Sequence, residues 1–293
     1  MKYVQYNNRG GCGFGNQMRS FAGAFTLAKF TNRKLIVTDE YINKAFNSPY
    51  KISKEDLLIN CSNKNQKKFT PSPVPQEKNM MLEALNNDLN FQENIINCGD
   101  GYDMGGNYLI KNPHYKKKYN DLLESISGNR YYDYLTHYWS PAIGSPTDEF
   151  ASIAKKNIDY DHNEYVSVQF RAFYDADNKF LHYLDNFLNK MLEVFKDRGI
   201  REGKVFVTSD TQDVTDQITS NLTNFDVIKS SYPIIHSQDF KLESIADWLT
   251  IAKSKFIFST GTSYATTAAI YANKPMYMLG QYNGYINKVW TQF

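Results

Sequence analysis

The sequence predicts an α/β fold with parallel sheets, distributed over two domains. Two observations predict it. At the N-terminus an apolar segment, a helical pattern and a second apolar segment follow one another, and the second half alternates apolar segments with amphipathic ones. Strands separated by helices favour parallel pairing, because each helix returns the chain to the same edge of the sheet. A chain of 293 residues is long enough for two cores of ordinary size.

The first half begins with a strand–helix–strand unit. Lys2–Tyr6 and Lys34–Thr38 are the predicted strands, and the helix between them is expected from Asn16 onward, where apolar residues recur at three- and four-residue spacing. Residues 43–115 are rich in asparagine and contain a proline cluster, which predicts long loops and short helices. A modest helix is expected over Asp121–Ile126.

A stretch rich in proline, glycine and serine, Ser140–Pro146, predicts the crossing between the domains. We therefore expect an N-terminal domain over residues 1–145, with irregular insertions, and a C-terminal domain over residues 146–293.

The second half predicts a doubly wound sheet. Its expected strands are Val166–Phe170, Lys204–Thr208, Phe225–Ile228, Phe256–Ser259 and Pro275–Leu279. The helices expected with them are Phe150–Lys156, Phe180–Arg198, Gln212–Asn221, Glu243–Lys253 and Thr262–Ala272. Sheets of this kind bind ligands beyond the carboxyl ends of their strands, so the functional residues are expected there.

Four glycines lie within Gly10–Gly15, between the first strand and the first helix. Their spacing departs from the dinucleotide fingerprint GxGxxG, and the sequence contains no GxxxxGK[ST]. Gly13 and Gly15 allow another molecule to approach the helix start closely, but the loop alone leaves a phosphate and a sugar equally open. An NAD-dependent enzyme that uses this loop is one alternative.

Polar residues follow the predicted strands of the second half. Arg171 follows the first, and its guanidinium fork suits a pyrophosphate; an ordinary surface arginine is the alternative. Ser209 and Asp210 follow the second, and Asp247 lies on a helix. At the start of the next helix, backbone N–H groups, the helix dipole and hydroxyls predict an anion site. Its residues are Ser259, Thr260, Gly261, Thr262 and Ser263.

The order of these motifs resembles the α1,2-, α1,6- and protein O-fucosyltransferase superfamily. The matching segments are GGCGFGNQMRSFAGAFTLAK, THYWSP, VSVQFRA, VFVTSD and ADWLTIAKSKFIFSTGTSYATTAAIY. The resemblance implies two Rossmann-like domains in a GT-B-type arrangement with a cleft between them. It also implies a glycosyltransferase that moves fucose, with inversion and without a metal, from GDP-fucose to a hydroxyl of a glycan acceptor.

The resemblance also implies roles for individual residues. Arg171 matches the arginine that holds the donor β-phosphate, and the segment Ser259–Ser263 would bind the same diphosphate. Asp247 matches a carboxylate near the nucleoside, and the pair Ser209 and Asp210 lies near the donor. The glycine loop would let Asn16 approach the acceptor and the transferred sugar.

Two departures from the family pattern leave the donor open. The family's histidine two residues before the arginine is Gln169 here, and its RRxD continuation reads RAFYD, which displaces the acid to Asp175 and removes the second arginine. UDP-xylose is therefore an alternative donor. A catalytically inactive glycan- or nucleotide-binding homologue is a second alternative.

The general base is expected to be a carboxylate. Asp175 is the first candidate and Asp39 the second, although either could be an ordinary solvated acid. Asp175 and Asp177 also form a DxD pattern of the kind that holds a divalent ion on a diphosphate. Arg171 and the two-domain layout argue against a metal site at these two aspartates, so we expect neither a metal nor another cofactor.

The composition excludes further classes. A net charge of +2 argues against nucleic-acid binding, and the sequence contains no long apolar run that predicts membrane insertion. The three cysteines, Cys12, Cys61 and Cys98, form no CxxC pair, which favours a reducing compartment. A cytoplasmic location is expected.

Overall fold

The computed structural model describes residues 2–7, 13–52, 66–68, 95–98, 113–162, 164–172, 183–232, 241–279 and 286–290. The chain divides into two compact units, Met1–Thr147 and Asp148–Phe293. Several predicted features lie outside the described residues: most of the glycine loop, and the acids Asp175 and Asp177.

The first unit contains a parallel sheet of four strands in the order β2-β1-β4-β3. Its strands are β1 (Tyr3–Tyr6), β2 (Lys34–Val37), β3 (Gln66–Lys68) and β4 (Ile95–Cys98). The prediction of loops and short helices over residues 43–115 was wrong at β3 and β4. Strands of three and four residues are too short to give a periodic signal in the sequence, so the pairing of β4 with β1 and of β3 with β4 decides their conformation.

The described residues of the first unit form five α-helices and one π-helical turn. They are α1 (Phe14–Phe30), α2 (Glu40–Ala45), α3 (Pro113–Ser125), α4 (Tyr131–Tyr134), a π-helical turn (Leu135–Trp139) and α5 (Ser140–Ile143). Helix α1 packs Phe21 between two aromatic rings, with centroids 5.0 Å from Tyr6 and 6.4 Å from Trp139. Gly144 ends α5 with φ 86°, a conformation that favours glycine.

The second unit contains a six-stranded sheet in the order β10-β9-β8-β5-β6-β7. Its strands are β5 (Tyr165–Phe170), β6 (Gly203–Ser209), β7 (Phe225–Lys229), β8 (Phe256–Ser259), β9 (Met276–Leu279) and β10 (Ile286–Trp290). The first five are parallel, which confirms the predicted α/β fold and all five predicted strands. The sixth, β10, runs antiparallel to β9 and was missed by the sequence analysis.

Helices cover both faces of this sheet. They are α6 (Asp148–Lys155), α7 (Leu184–Asp197), α8 (Gln212–Ser220), a 3-10 turn (Leu242–Ile245), α9 (Ala246–Lys253) and α10 (Ser263–Ala272). On one face Phe187 of α7 packs against Phe170 and Phe258, with ring centroids 4.9 and 4.8 Å apart. On the other face the Tyr165 hydroxyl donates to the Thr250 carbonyl of α9 over 2.6 Å.

The strand order places a switch point between β5 and β8. From β5 the chain proceeds outward through β6 to β7, and it then returns to the other side of β5 to form β8. Connections on the two sides of a switch point diverge, which opens a crevice beyond the carboxyl ends of the two strands. The candidate site is built at this position.

Candidate functional site

Arg171 lies at the switch point, directly after β5, and the backbone fixes it against the end of β8. Its N–H donates to Thr260 Oγ1 over 3.1 Å, and the Thr260 N–H donates to the Gln169 carbonyl over 3.2 Å. These two bonds join the strand ends beyond the last regular pairing. They therefore place the base of the Arg171 side chain beside the β8–α10 turn.

The side chain of Arg171 is oriented by the next strand. Its Nε donates to Asp210 Oδ2 over 3.0 Å, and the Asp210 Oδ1 accepts from the Ala172 N–H over 2.5 Å. The Arg171 side chain is 45% exposed, and that of Asp210 only 11%. A half-exposed ion pair contributes at most about 1 kcal/mol to stability. Its main effect is to fix the direction of the guanidinium group.

The β8–α10 turn brings backbone N–H groups together at the start of a helix. Gly261 adopts φ 77°, and its N–H donates to Ser259 Oγ over 3.1 Å. Thr262 caps the helix, because its Oγ1 accepts from the Ala265 N–H over 3.3 Å. Helix α10 runs for ten residues, and its first N–H groups, those of Ser263 and Tyr264, have no acceptor within the helix. They and the helix dipole favour a negatively charged group at this end.

Gln169 organises this turn from β5. Its Oε1 accepts from Ser259 Oγ over 2.8 Å and from Thr262 Oγ1 over 2.9 Å, and the residue is only 6% exposed. Of the four predicted anion-binding hydroxyls, those of Ser259 and Thr262 therefore build the turn itself. The sequence identified Gln169 as a departure from the family pattern but gave no sign of these contacts, which connect residues about 90 positions apart.

A row of polar side chains extends from Gln169 to Asp247. Gln169 lies opposite Thr208 in the β5–β6 pairing, and Thr208 Oγ1 donates to Asp247 Oδ2 over 2.7 Å. Asp247 Oδ1 accepts from Ser230 Oγ over 2.8 Å and from Asn157 Nδ2 over 2.9 Å. The structure thus gives Asp247, predicted near the nucleoside, three internal donors. Sequence reasoning missed Ser230 and Asn157, because neither belongs to a recognisable motif.

Burial changes the acidity of this polar row. Removal from water raises the pKa of Asp247 above its ordinary value, and the three hydrogen bonds oppose that rise. Burial also raises the pKa of Tyr264 well above the ordinary tyrosine value, and the nearby charge of Asp247 adds to the rise. Tyr264 therefore stays a neutral phenol at the start of α10 at physiological pH.

The other predicted site residues lie in the first unit. Gly13 precedes α1, and its carbonyl accepts from the N–H groups of Asn16 and Gln17 over 2.9 and 3.2 Å, which places Asn16 in the first turn. Gly15 is buried within that turn.

Asp39 caps α2. Its Oδ1 accepts from the Tyr41 and Ile42 N–H groups over 3.1 and 2.9 Å, and the residue is 4% exposed. The structure thus gives this candidate base a capping function.

Among the described residues no group of three or more His, Cys, Asp or Glu side chains is placed to hold a metal ion. Asp175 and Asp177 lie outside the described residues. None of the described helices combines the length and the apolar character needed to cross a membrane.

The sequence matches no family model and no curated protein. Its structure, in contrast, is similar to those of several fucosyltransferases. A FUT1 mutant from Arabidopsis thaliana in complex with GDP has 14% identity and a TM-score of 0.68, with 97% of this chain and 71% of that chain covered. NodZ α-1,6-fucosyltransferase soaked with GDP-fucose has 13% identity and a TM-score of 0.56, with 98% and 97% covered.

POFUT1 in complex with GDP-fucose has 13% identity and a TM-score of 0.50, with 93% of this chain and 94% of that chain covered. This chain therefore shares the fold of these fucosyltransferases. The resemblance noted in the sequence is confirmed at the level of the fold.

Proposed function

We propose that this chain is an inverting glycosyltransferase that moves a sugar from a nucleoside diphosphate to a hydroxyl of a glycan acceptor. The observation that carries the proposal is the position of Arg171 beside the start of α10, at the switch point of a doubly wound sheet. GDP-fucose is the proposed donor, and UDP-xylose is the alternative. Support for a GDP-linked donor comes from the ligands of structures with this fold, GDP for FUT1 and GDP-fucose for NodZ and POFUT1.

The proposed mechanism stabilises the leaving group. As the acceptor hydroxyl attacks the anomeric carbon, the bond to the diphosphate breaks and negative charge develops on the diphosphate oxygens. We propose that the Arg171 guanidinium and the N–H groups of Ser263 and Tyr264 bind that charge. A cation and oriented amides can supply this stabilisation by themselves, so we propose turnover without a metal.

The acceptor side is proposed to involve Asn16, with Gly13 and Gly15 allowing close approach to the transferred sugar. A carboxylate would take the proton of the acceptor hydroxyl. Asp175 remains the first candidate for this base, because Oδ1 of Asp39 is engaged in capping α2. We also propose that the chain acts in the cytoplasm, on the basis of its cysteine distribution.

Release of nucleotide tests the proposal. Purified protein is mixed with GDP-fucose, UDP-xylose or other nucleotide sugars and a panel of glycan acceptors, and free GDP or UDP is measured. We expect acceptor-dependent release that continues in excess EDTA. Binding of GDP or UDP without release from any donor would instead identify a binding homologue, and abolition by EDTA would contradict metal independence.

A further inference from the structure

Helix α1 is buried on almost every side. Of its 17 residues, only Asn16, Arg19 and Lys29 are not buried, and Lys29 lies in the last turn. Asn16 and Arg19 are three residues apart, so their side chains are neighbours on the helix surface. Beside them, a Cβ added to the N-cap Gly13 would meet no atom of the described residues within 4 Å. The start of α1 therefore has one accessible strip, formed by Asn16 and Arg19.

This strip lies where a sheet of parallel strands binds ligands. Strands β2 and β4 pair with β1 on opposite sides, so the connections diverge beyond the carboxyl end of β1. The Tyr6 hydroxyl at that end donates to the Gln17 carbonyl over 2.8 Å, and the Tyr6 ring lies 5.0 Å from Phe21. These contacts hold the first turns of α1 on the strand, and with them the backbone that carries Arg19.

Arg19 carries a charge that no acid in the described part of the chain neutralises. Its Nε is shielded from water and forms no hydrogen bond there. In contrast, Arg130 pairs with Asp133, and Arg171 pairs with Asp210. The first turn of α1 contains no acidic residue either. A guanidinium that has lost part of its hydration without gaining hydrogen bonds costs stability, and a bound anion would supply the missing acceptors.

We propose that Arg19 binds a negatively charged group of the glycan acceptor, a carboxylate or a sulfate ester close to the hydroxyl that receives the sugar. This inference rests on the proposed function, in which Asn16 is on the acceptor side. The planar guanidinium has parallel N–H donors that match two oxygens of such a group. The donor diphosphate is a different anion, since the proposed function assigns it to Arg171 and the start of α10. Arg19 therefore selects an acidic glycan over its neutral counterpart.

The stability of Arg19→Met tests whether the arginine serves the fold. Methionine keeps an apolar stem of similar length but removes the charge, so we expect a Tm equal to or above that of the wild type. Lys29→Met is the matched control, because it removes an exposed charge from the other end of the same helix. A Tm several degrees below that of Lys29→Met would show that Arg19 is structural and would overturn the inference.

Activity with matched acceptors tests the recognition itself. The probes are oligosaccharides in sets of three: the neutral chain, the chain with one uronate and the chain with one sulfate ester. Nucleotide release gives kcat/KM for each, with the donor that the wild type uses. We expect the wild type to favour a charged member. Arg19→Met should lower kcat/KM for that member about tenfold or more, the size of one lost hydrogen bond to a charged group, and change the neutral value less than about twofold.

The remaining outcomes separate this inference from the proposed function. The charged member that the wild type favours identifies the anion, and Lys29→Met should keep the wild-type preference. A wild type that favours the neutral chains, or equal losses for charged and neutral chains in Arg19→Met, would overturn the inference and leave the transferase in place. Affinity for GDP or UDP should stay within about twofold in Arg19→Met. A wild type that releases no nucleotide with any donor and acceptor would instead contradict the proposed function, and the inference with it.

Discussion

Arg171 and Asp210 follow adjacent parallel strands, and Nε of the arginine donates to Oδ2 of the aspartate over 3.0 Å. The second carboxylate oxygen accepts the backbone N–H of Ala172, so Asp210 holds both the side chain and the main chain at the end of β5. Because its Nε is held by Asp210, the guanidinium has a fixed direction. Asp210 would therefore determine the geometry in which Arg171 could bind a diphosphate.

Replacement of Arg171 tests the leaving-group mechanism. Arg171→Ala removes the charge that we propose binds the departing diphosphate, and we expect kcat to fall by about 10²–10³-fold, the usual cost of losing one such donor. Nucleotide release at saturating donor measures it. Arg201→Ala is the matched control. Arg201 is exposed and precedes β6, so it lies at the amino ends of the strands, away from the proposed site at their carboxyl ends. Near-wild-type turnover in Arg171→Ala would refute the assignment.

The hydroxyls of Ser259 and Ser263 in the β8–α10 turn should differ in their contribution to stability. Ser259→Ala removes a buried hydroxyl that bonds to Gln169 and Gly261, so we expect a loss of about 1–3 kcal/mol in unfolding free energy. Ser263→Ala, at the first position of α10, keeps the main-chain N–H, so it should change stability by less than about 0.5 kcal/mol and leave diphosphate binding largely unchanged. Denaturant titrations and GDP calorimetry on both variants measure the two effects. The reverse pattern would contradict the structural function given to Ser259.

The raised pKa of Asp247 predicts a pH dependence of stability. The folded state holds this proton more tightly than the unfolded state, whose pKa is near 3.8. Its contribution to stability is therefore fully present below that value and is lost as pH rises toward the folded pKa. We expect Asp247→Asn to lack this decline, which urea denaturation of both proteins between about pH 4 and 7 would detect. Parallel curves for the two proteins would show that the shift is absent.

Gly144 should not tolerate a side chain. Its φ is 86°, and an added Cβ would lie 2.2 Å from the Asn47 carbonyl oxygen. We expect Gly144→Ala to cost about 2 kcal/mol or more, from the strained backbone and the clash together. Gly199→Ala provides the comparison, because its φ is 68° but nothing lies within 4 Å of the added atom. Thermal unfolding of both variants separates the clash from the backbone cost, and equal losses would rule out a clash at Gly144.

The sequence predicted those features that depend on residues near each other along the chain. The five strands of the second unit and the start of α10 carry periodic apolar residues or a capping hydroxyl, and they lie within a few residues of the predicted positions. Strand β10 has no comparable signal and depends on pairing with β9. The function of Gln169 depends on Ser259 and Thr262, which approach it only after β5 and β8 have paired.

The start of α10 has a consequence for how such a protein can diverge. The N–H groups of Ser263 and Tyr264 belong to the main chain. Among the ordinary amino acids, only proline at these positions would remove them. Changes in the surrounding side chains leave these two donors in place for as long as the helix begins at the same residue. The two N–H groups can therefore persist in this fold whichever ordinary residues other than proline occupy positions 263 and 264.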